Sequence, residues 1–235
     1  MNIKDCVDFL NFWIRKERGA FYTIEESVQL IDRAQLGYYN DIIPRYATSQ
    51  IIKDTLEPFK TKLEFDELTT DNGKVYIYDP TYLNLLSFTI KYESDFNGRI
   101  IYYPVKMINE DELADKLNSQ IDPPSITAPI GELLTDKDSS NQTIYYIQLY
   151  PEFPNNGFLY YMRRPVSPKY AYTVIDGRVI VYDAANSIQL EWRDVDIDAI
   201  LLKALSSIGI NLSDQEVSQF AELKSQQNYQ GVNHL

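Results

Sequence analysis

Histidine and cysteine, the side chains most used as catalytic base and nucleophile, occur once each in this sequence. The single histidine, His234, is the penultimate residue. A Ser-His-Asp or Cys-His arrangement would need it to fold back from a frayed terminal segment. No HExxH, CxxC, P-loop or GxGxxG pattern occurs, and nine glycines leave little room for a phosphate cradle. Carboxylates are plentiful. Asp194, Asp196 and Asp198 alternate along the chain and could bind a hard cation. The pattern is better explained by acidic groups near a helix start, where they favour its dipole, with the alternation pointing outward. A glycosidase-like carboxylate pair stays open, because its separation is set by the fold.

Arg163 and Arg164 follow Tyr160 and Tyr161 directly. Such a group can contact a partner carboxylate, an aromatic ring or a phosphate, or simply end a solvated strand. These four are the candidate interface residues. No catalytic, metal or cofactor site is predicted, and the chain is not expected to be an enzyme.

The elements that must carry these residues read as strands in the middle and helices at the ends. Ile3, Val7, Leu10 and Ile14, widened by Cys6, Phe9 and Trp13, predict a helix over Ile3–Lys16 closed by Gly19. Thr23 and Glu26 have capping-box spacing and open a second helix with Ile24, Val28, Ile31 and Tyr38 recurring, ended by Pro44. A third helix is expected over Thr48–Leu56. The period then changes: Lys74–Asp79 is strand-like, and a hairpin is predicted around Asn97-Gly98. A short helix over Asn109–Gln120 is expected to be capped by Asn109. The stretch Asp122–Ser140, rich in Pro, Ser and Asp, reads as a loop.

Two aromatic-rich strands follow in 143–164, then a hairpin around Asp176-Gly177 and an extended Ser187–Trp192. A helix over Val195–Ser207 should bury Ile197, Ile200, Leu201, Ala204, Leu205 and Ile208, with Gly209 past its end. Ser213 and Glu216 form the capping box of a last helix. The fold class is therefore α+β: an N-terminal helical unit (1–60), a central antiparallel β-rich part with hairpins (61–192, including the loop 122–140), C-terminal helices (193–227) and a tail (228–235), together one composite domain.

Composition narrows the function classes. The chain has 235 residues, of which 19 are tyrosines, and a formal charge of −12. Tyrosine suits strands and half-wet contacts, since its ring is apolar and its hydroxyl needs a partner. The acidity argues against a surface that grips nucleic acid, which needs clustered Lys and Arg. It suits either a surface that DNA passes without sticking or plain solubility. Cys6, alone on the apolar side of a helix, provides no disulfide framework, so a reducing compartment is expected. Met1–Gly19 carries charges within its apolar pattern and lacks a small-residue cleavage site, so no signal peptide is expected. No apolar run approaches membrane-spanning length.

The succession IQLYPEF, FLYYMRRPVSP and SIQLEWRDVDIDAILLKALSSIGINLSDQEVSQFAELK resembles the C-terminal half of phage head–tail connector proteins. These are the adaptor or ring proteins below the portal, and the likeness is nearest to those of crAss-like and related Bacteroidetes phages. The matching features are a strand ending in Tyr-Pro, a Tyr-rich strand ending in Arg-Pro, an extended Leu-Glu-Trp and a helix ending in Gly-Ile. They cover 143–227. The resemblance implies a structural virion protein at the head–tail neck, assembled in the host cytoplasm as a ring, commonly a dodecamer. It implies the portal and neighbouring tail or ring proteins as partners, and DNA passing through the lumen without specific binding. No membrane, cofactor or metal is implied. Two alternatives remain: a β-rich tail module that binds carbohydrate or another tail protein, and a hydrolase built on carboxylates.

Overall fold

The chain is described by a computed structural model, which defines residues 1–19, 21–66, 70–71, 73–93, 99–137, 141–152, 156–176 and 179–210. It is an α+β protein, as the sequence predicts, and divides into two compact units. One comprises Met1–Pro58 with the chain from Pro165 onward, and the other is Phe59–Arg164. The boundaries therefore differ from the sequence partition: residues 165–192 belong with the terminal helices, not with the central strands. Their tie is tertiary. The buried Gln35 side chain donates to the Val166 carbonyl (3.1 Å) and accepts from Trp192 Nε1 (3.2 Å).

In the first unit, α1 (Ile3–Arg18) starts at Asn2, whose side chain accepts from the Asp5 amide while Asp5 reaches back. Gly19 closes it at φ 62°, a left-handed conformation that glycine adopts without penalty. Its buried side is Ile3, Cys6, Val7, Phe9, Leu10, Trp13 and Ile14, the predicted stripe. Helix α2 (Ile24–Ile42) carries the predicted Thr23–Glu26 box, with Glu26 N donating to Thr23 Oγ1 (3.1 Å) and Thr23 N to Glu26 Oε2 (2.8 Å). It passes into a 3₁₀ turn, Ile43–Arg45, at Pro44. Its buried face is Ser27, Ile31, Ala34, Gln35 and Tyr39, rotated from the expected one. Helix α3 (Gln50–Leu56) ends in a 3₁₀ turn containing Pro58.

After 165 come the hairpin strands β10 (Tyr172–Ile175) and β11 (Val179–Tyr182), then helix α5 (Asp194–Ser207), which packs on α1 and α2. Helix α5 buries Ile197, Ile200, Leu201, Ala204 and Leu205 as expected, whereas Ile208 is only half-buried. Ser187–Trp192 forms no strand; a single bridge joins Ile188 to Lys169. The Ser213 cap, the final helix, the tail with His234, and Asn97-Gly98 lie outside the described residues.

The second unit has two sheets around one core. Strands β1 (Lys60–Phe65), β9 (Asn156–Arg163), β4 (Tyr82–Glu93) and β5 (Ile100–Pro104) form one antiparallel sheet in that order. The other runs β2 (Thr70–Asp71), β3 (Lys74–Ile77), β8 (Thr143–Tyr150), β7 (Ile130–Lys137) and β6 (Lys106–Met107), with β6 and β7 parallel. Phe65, Phe88, Ile90, Leu159 and Tyr161 from the first sheet share a core with Val75, Ile77, Ile147 and Leu149 from the second. The two tyrosine-rich strands, consecutive in sequence, thus belong to different sheets.

Helix α4 (Glu110–Leu117) follows β6; Asn109 stands at its start but makes no side-chain capping bond. The expected loop Asp122–Ser140 needs correction. Residues 118–129 are irregular, but Ile130–Lys137 is a strand, paired with β8 from Ile130↔Tyr150 to Lys137↔Thr143. Its Pro-rich neighbours and polar second half hide it locally. Pairing with distant partners makes the strand.

Candidate functional site

The three carboxylates of the acidic triplet have separate surroundings. Asp194 lies in the first turn of α5 and pairs with the amino terminus of Met1. Asp196, expected to point outward, is 5% exposed. It accepts from Arg193 Nε (2.8 Å) and the Tyr38 hydroxyl (3.1 Å), while Arg193 Nη2 donates to Thr55 Oγ1. The inward turn is satisfied because Arg193 and Tyr38 meet the carboxylate there. Burial, then the adjacent Asp196 charge and its hydrogen bond, push Tyr38 up to about 12. Burial and then Asp194 raise the Asp198 carboxyl. The cluster links α2, α3 and α5 through mutually satisfied groups, which is structural work. Among the described residues no three His, Cys, Asp or Glu side chains converge to hold a metal ion.

The four residues singled out in 160–164 divide. Period-two alternation sends Tyr160 and Tyr161 to opposite faces of β9. Tyr161 is 3% exposed and belongs to the core; its hydroxyl donates to Asp79 Oδ2 (2.7 Å). It is thus not a surface contact, a correction that follows from the pleat. Burial opposes ionisation of Asp79. Hydrogen bonds from Thr81 and Tyr161, with Arg163 nearby, outweigh it and hold the carboxyl below its ordinary value. Arg163 lies over the Phe59 ring (5.8 Å to the centroid), and Arg164 is exposed.

Tyr160 is on the other face of the four-stranded sheet. There Lys60 Nζ is 5.0 Å from its ring centroid and Lys62 Nζ 4.8 Å from that of Phe158. Tyr102 packs against Phe158 (5.9 Å) and Phe158 against Tyr160 (5.6 Å). The result is a half-wet layer of rings with lysines laid across them. Sequence reasoning singled out Tyr160 but missed Lys60, Lys62, Tyr102 and Phe158, because cross-strand neighbours are not sequence neighbours.

A groove of about 750 Å³ beside β4 and β7 has carboxylates in its lining; Tyr82, Met107, Glu110, Asp111 and Glu132 line it. Glu110 and Asp111 are exposed at the start of α4, and Glu132 is buried opposite Gln148 in the β7–β8 register. These acids come from an exposed helix start and a buried strand position, and among the described residues no Lys, Arg, His, Ser or Cys lines the groove with them.

The hairpin β10–β11 gathers several exposed apolar side chains on one element. Val174, Ile175, Val179 and Ile180 are each about half exposed, from 51% to 56%, and Val181 is 41% exposed. The register puts Tyr172, Val174, Ile180 and Tyr182 on one face and Thr173, Ile175, Val179 and Val181 on the other. Both faces are therefore apolar, whereas a half-buried hairpin alternates. Its base is fixed: the Tyr172 hydroxyl donates to Glu25 Oε1 (2.7 Å), Gln189 donates to the Tyr182 hydroxyl (3.0 Å), and Tyr170 packs on both tyrosines. The run VIVY, without polar alternation, was the available sequence signal.

No protein-family model matches the chain, and no curated protein matches it at a significant level.

Proposed function

We propose that this chain is a structural assembly subunit that works as a closed homo-oligomeric ring, of the head–tail connector kind that its sequence resembles. The observation that carries the reading is the hairpin β10–β11, fixed at its base and apolar on both faces. An isolated two-stranded hairpin is marginal in water, and a contiguous exposed apolar patch marks a contact surface. Covering five half-exposed Val and Ile side chains would contribute on the order of 5 kcal/mol. Association costs about 4–15 kcal/mol in lost freedom, so the hairpin is one part of a larger contact.

In a ring each subunit offers two different, complementary surfaces. The hairpin of one subunit inserts against its neighbour, and the ring sits below a portal-like partner. Acidity of −12 per chain, repeated around a lumen, repels passing DNA and keeps it from sticking. The reading is tested by native mass spectrometry of the full chain beside a V174D/I180D variant. The expected result is a closed oligomer of 27.3 kDa units for the wild type and monomer for the variant. A wild type that stays monomeric at every soluble concentration, or a folded variant that assembles equally well, overturns it.

A further inference from the structure

The outer strands of the two larger sheets are blunted in the ways that keep exposed edges from pairing with other chains: charge, proline and shortness. In the four-stranded sheet, β1 carries Lys60, Lys62 and Glu64, and β5 ends at Pro104. In the five-stranded sheet, the outer strands β2 and β6 have two residues each. The hairpin β10–β11 has none of these protections. Its strands, Tyr-Thr-Val-Ile and Val-Ile-Val-Tyr, hold no charged residue and no proline. Their register runs from Tyr172↔Tyr182 to Ile175↔Val179 without a bulge. Among the described residues neither strand pairs with a third.

One bond fixes which backbone groups face outward. Asp183 N donates to the Ala171 carbonyl (2.9 Å). Antiparallel pairs alternate between those that exchange hydrogen bonds and those that do not. Thr173↔Val181 is therefore a bonded pair, whereas Tyr172↔Tyr182 and Val174↔Ile180 are not. The amides and carbonyls of Tyr172 and Val174 point away from the hairpin along one edge, and those of Ile180 and Tyr182 along the other. Tyr172, Val174 and Ile180 are exposed and Tyr182 is half-buried, so both edges are open to another strand.

We infer that the β10 edge of each copy pairs with the β11 edge of the next, joining the hairpins of successive subunits into one antiparallel sheet. The inference rests on the reading of the chain as a ring subunit and names the bonds its hairpin makes. Area, span and direction select a second copy as the occupant. The eight strand residues expose on the order of 600 Å², most of the about 800 Å² that each partner gives to a standard interface. Both strands are four residues long, and each presents two outward residues two positions apart, so the edges match. Because β10 and β11 run antiparallel, copies in one orientation bring unlike edges together antiparallel, the head-to-tail contact that closes a ring. Pairing like edges would reverse alternate copies. The Tyr172–Glu25 and Gln189–Tyr182 bonds already hold the base of the hairpin, so little ordering accompanies the contact.

Proline tests the edges one at a time, because it removes an outward amide while the bonds within the hairpin stay. Val174→Pro blocks the β10 edge and Ile180→Pro the β11 edge. In native mass spectrometry of the full chain, each variant alone should assemble about tenfold or more weakly than wild type. Their equimolar mixture should recover one-to-one pairs, the intact β11 edge of V174P meeting the intact β10 edge of I180P. Val174→Ala and Ile180→Ala trim the same side chains but keep the amides, and should weaken assembly less. Melting curves check that every variant folds. Hydrogen exchange of wild type needs no variant. On assembly the amides of Tyr172, Val174, Ile180 and Tyr182 should slow by about tenfold or more relative to the diluted monomer, while those of Thr173 and Val181 are protected in both states. Outward amides that exchange equally in both states overturn the pairing and leave the ring reading intact. So does a folded proline variant that assembles like wild type, or an alanine variant as weak as its proline counterpart. One proline variant that dimerises by itself while the other stays monomeric assigns the contact to like edges and overturns the proposal. A wild type that never assembles overturns the ring reading, and this contact with it.

Discussion

Gly157 lies at the tightest approach in the four-stranded sheet, and Gly157→Ala should be the most damaging single-methyl change there. A Cβ at this position would fall well inside van der Waals contact with the Thr89 carbonyl oxygen. It would also lie 2.8 Å from Phe65 Cζ and 3.1 Å from Ile90 Cα. Two of these three atoms are backbone of β4, the strand paired with β9 through Ile90↔Gly157, so relief requires the strands to separate. Overpacking costs about 1–3 kcal/mol in general, and a clash with backbone rather than with a mobile side chain belongs at the upper end. About 3 kcal/mol lowers the melting temperature by roughly 6–12 °C for a chain of this size. Gly131→Ala is the internal control: its Cβ meets only side chains, Ile147 and Val105 at 3.1 Å and Met107 Sδ at 3.2 Å. It should cost about 1 kcal/mol or less, because Met107 can yield. Calorimetry of both variants decides the matter. If Gly157→Ala melts with wild type, or Gly131→Ala is the more damaging, steric closure of β4 on β9 is not what fixes glycine at 157.

Asp196→Ala leaves Arg193 and Tyr38 without their carboxylate. It should cost about 2 kcal/mol in denaturant unfolding, below the usual figure for breaking a buried pair because Arg193 is partly exposed. Thr23→Ala removes the α2 cap and should cost about 1 kcal/mol, read by the same titration. Asp79 supplies a pH dependence. Its carboxyl is held below its ordinary value, so its contribution is present above about pH 4 and is lost as pH falls through the lower folded value. Tyr161→Phe removes one of the bonds that lower it. That variant should lose about 1 kcal/mol at neutral pH and show a shallower loss on acidification, seen in melts taken from pH 6 downward.

What could be read from the sequence was local. The Thr23–Glu26 box, the stripe of α1 and Gly209 after α5 involve residues within one or two turns, where a backbone donor and its cap are near neighbours. The α+β order and the β10–β11 hairpin were legible for the same reason. What was hidden depends on distant partners. Ile130–Lys137 reads as loop because it follows three prolines and ends Thr-Asp-Lys, yet β8 and β6 on either side make it an interior strand. Two misplacements had a signal that went unused. Tyr160 and Tyr161 are adjacent in a strand, so they cannot both face one partner. Asp196 lies four residues before Ile200, on the buried face of α5. The lysine–aromatic layer had no local signal, since β1, β4, β5 and β9 bring it together across about a hundred residues of chain.

Ring assembly at a particle neck is the central claim, and imaging tests it most directly. Electron microscopy of purified particles containing this chain, with masked averaging of the neck, should reveal a closed symmetric ring beside the portal. Within it the 172–182 hairpin of each subunit should lie against its neighbour, and acidic side chains should line the channel. Finding the chain instead as separate monomers on the capsid surface, or as a terminal module at the tail tip with its hairpin in solvent, would contradict the account.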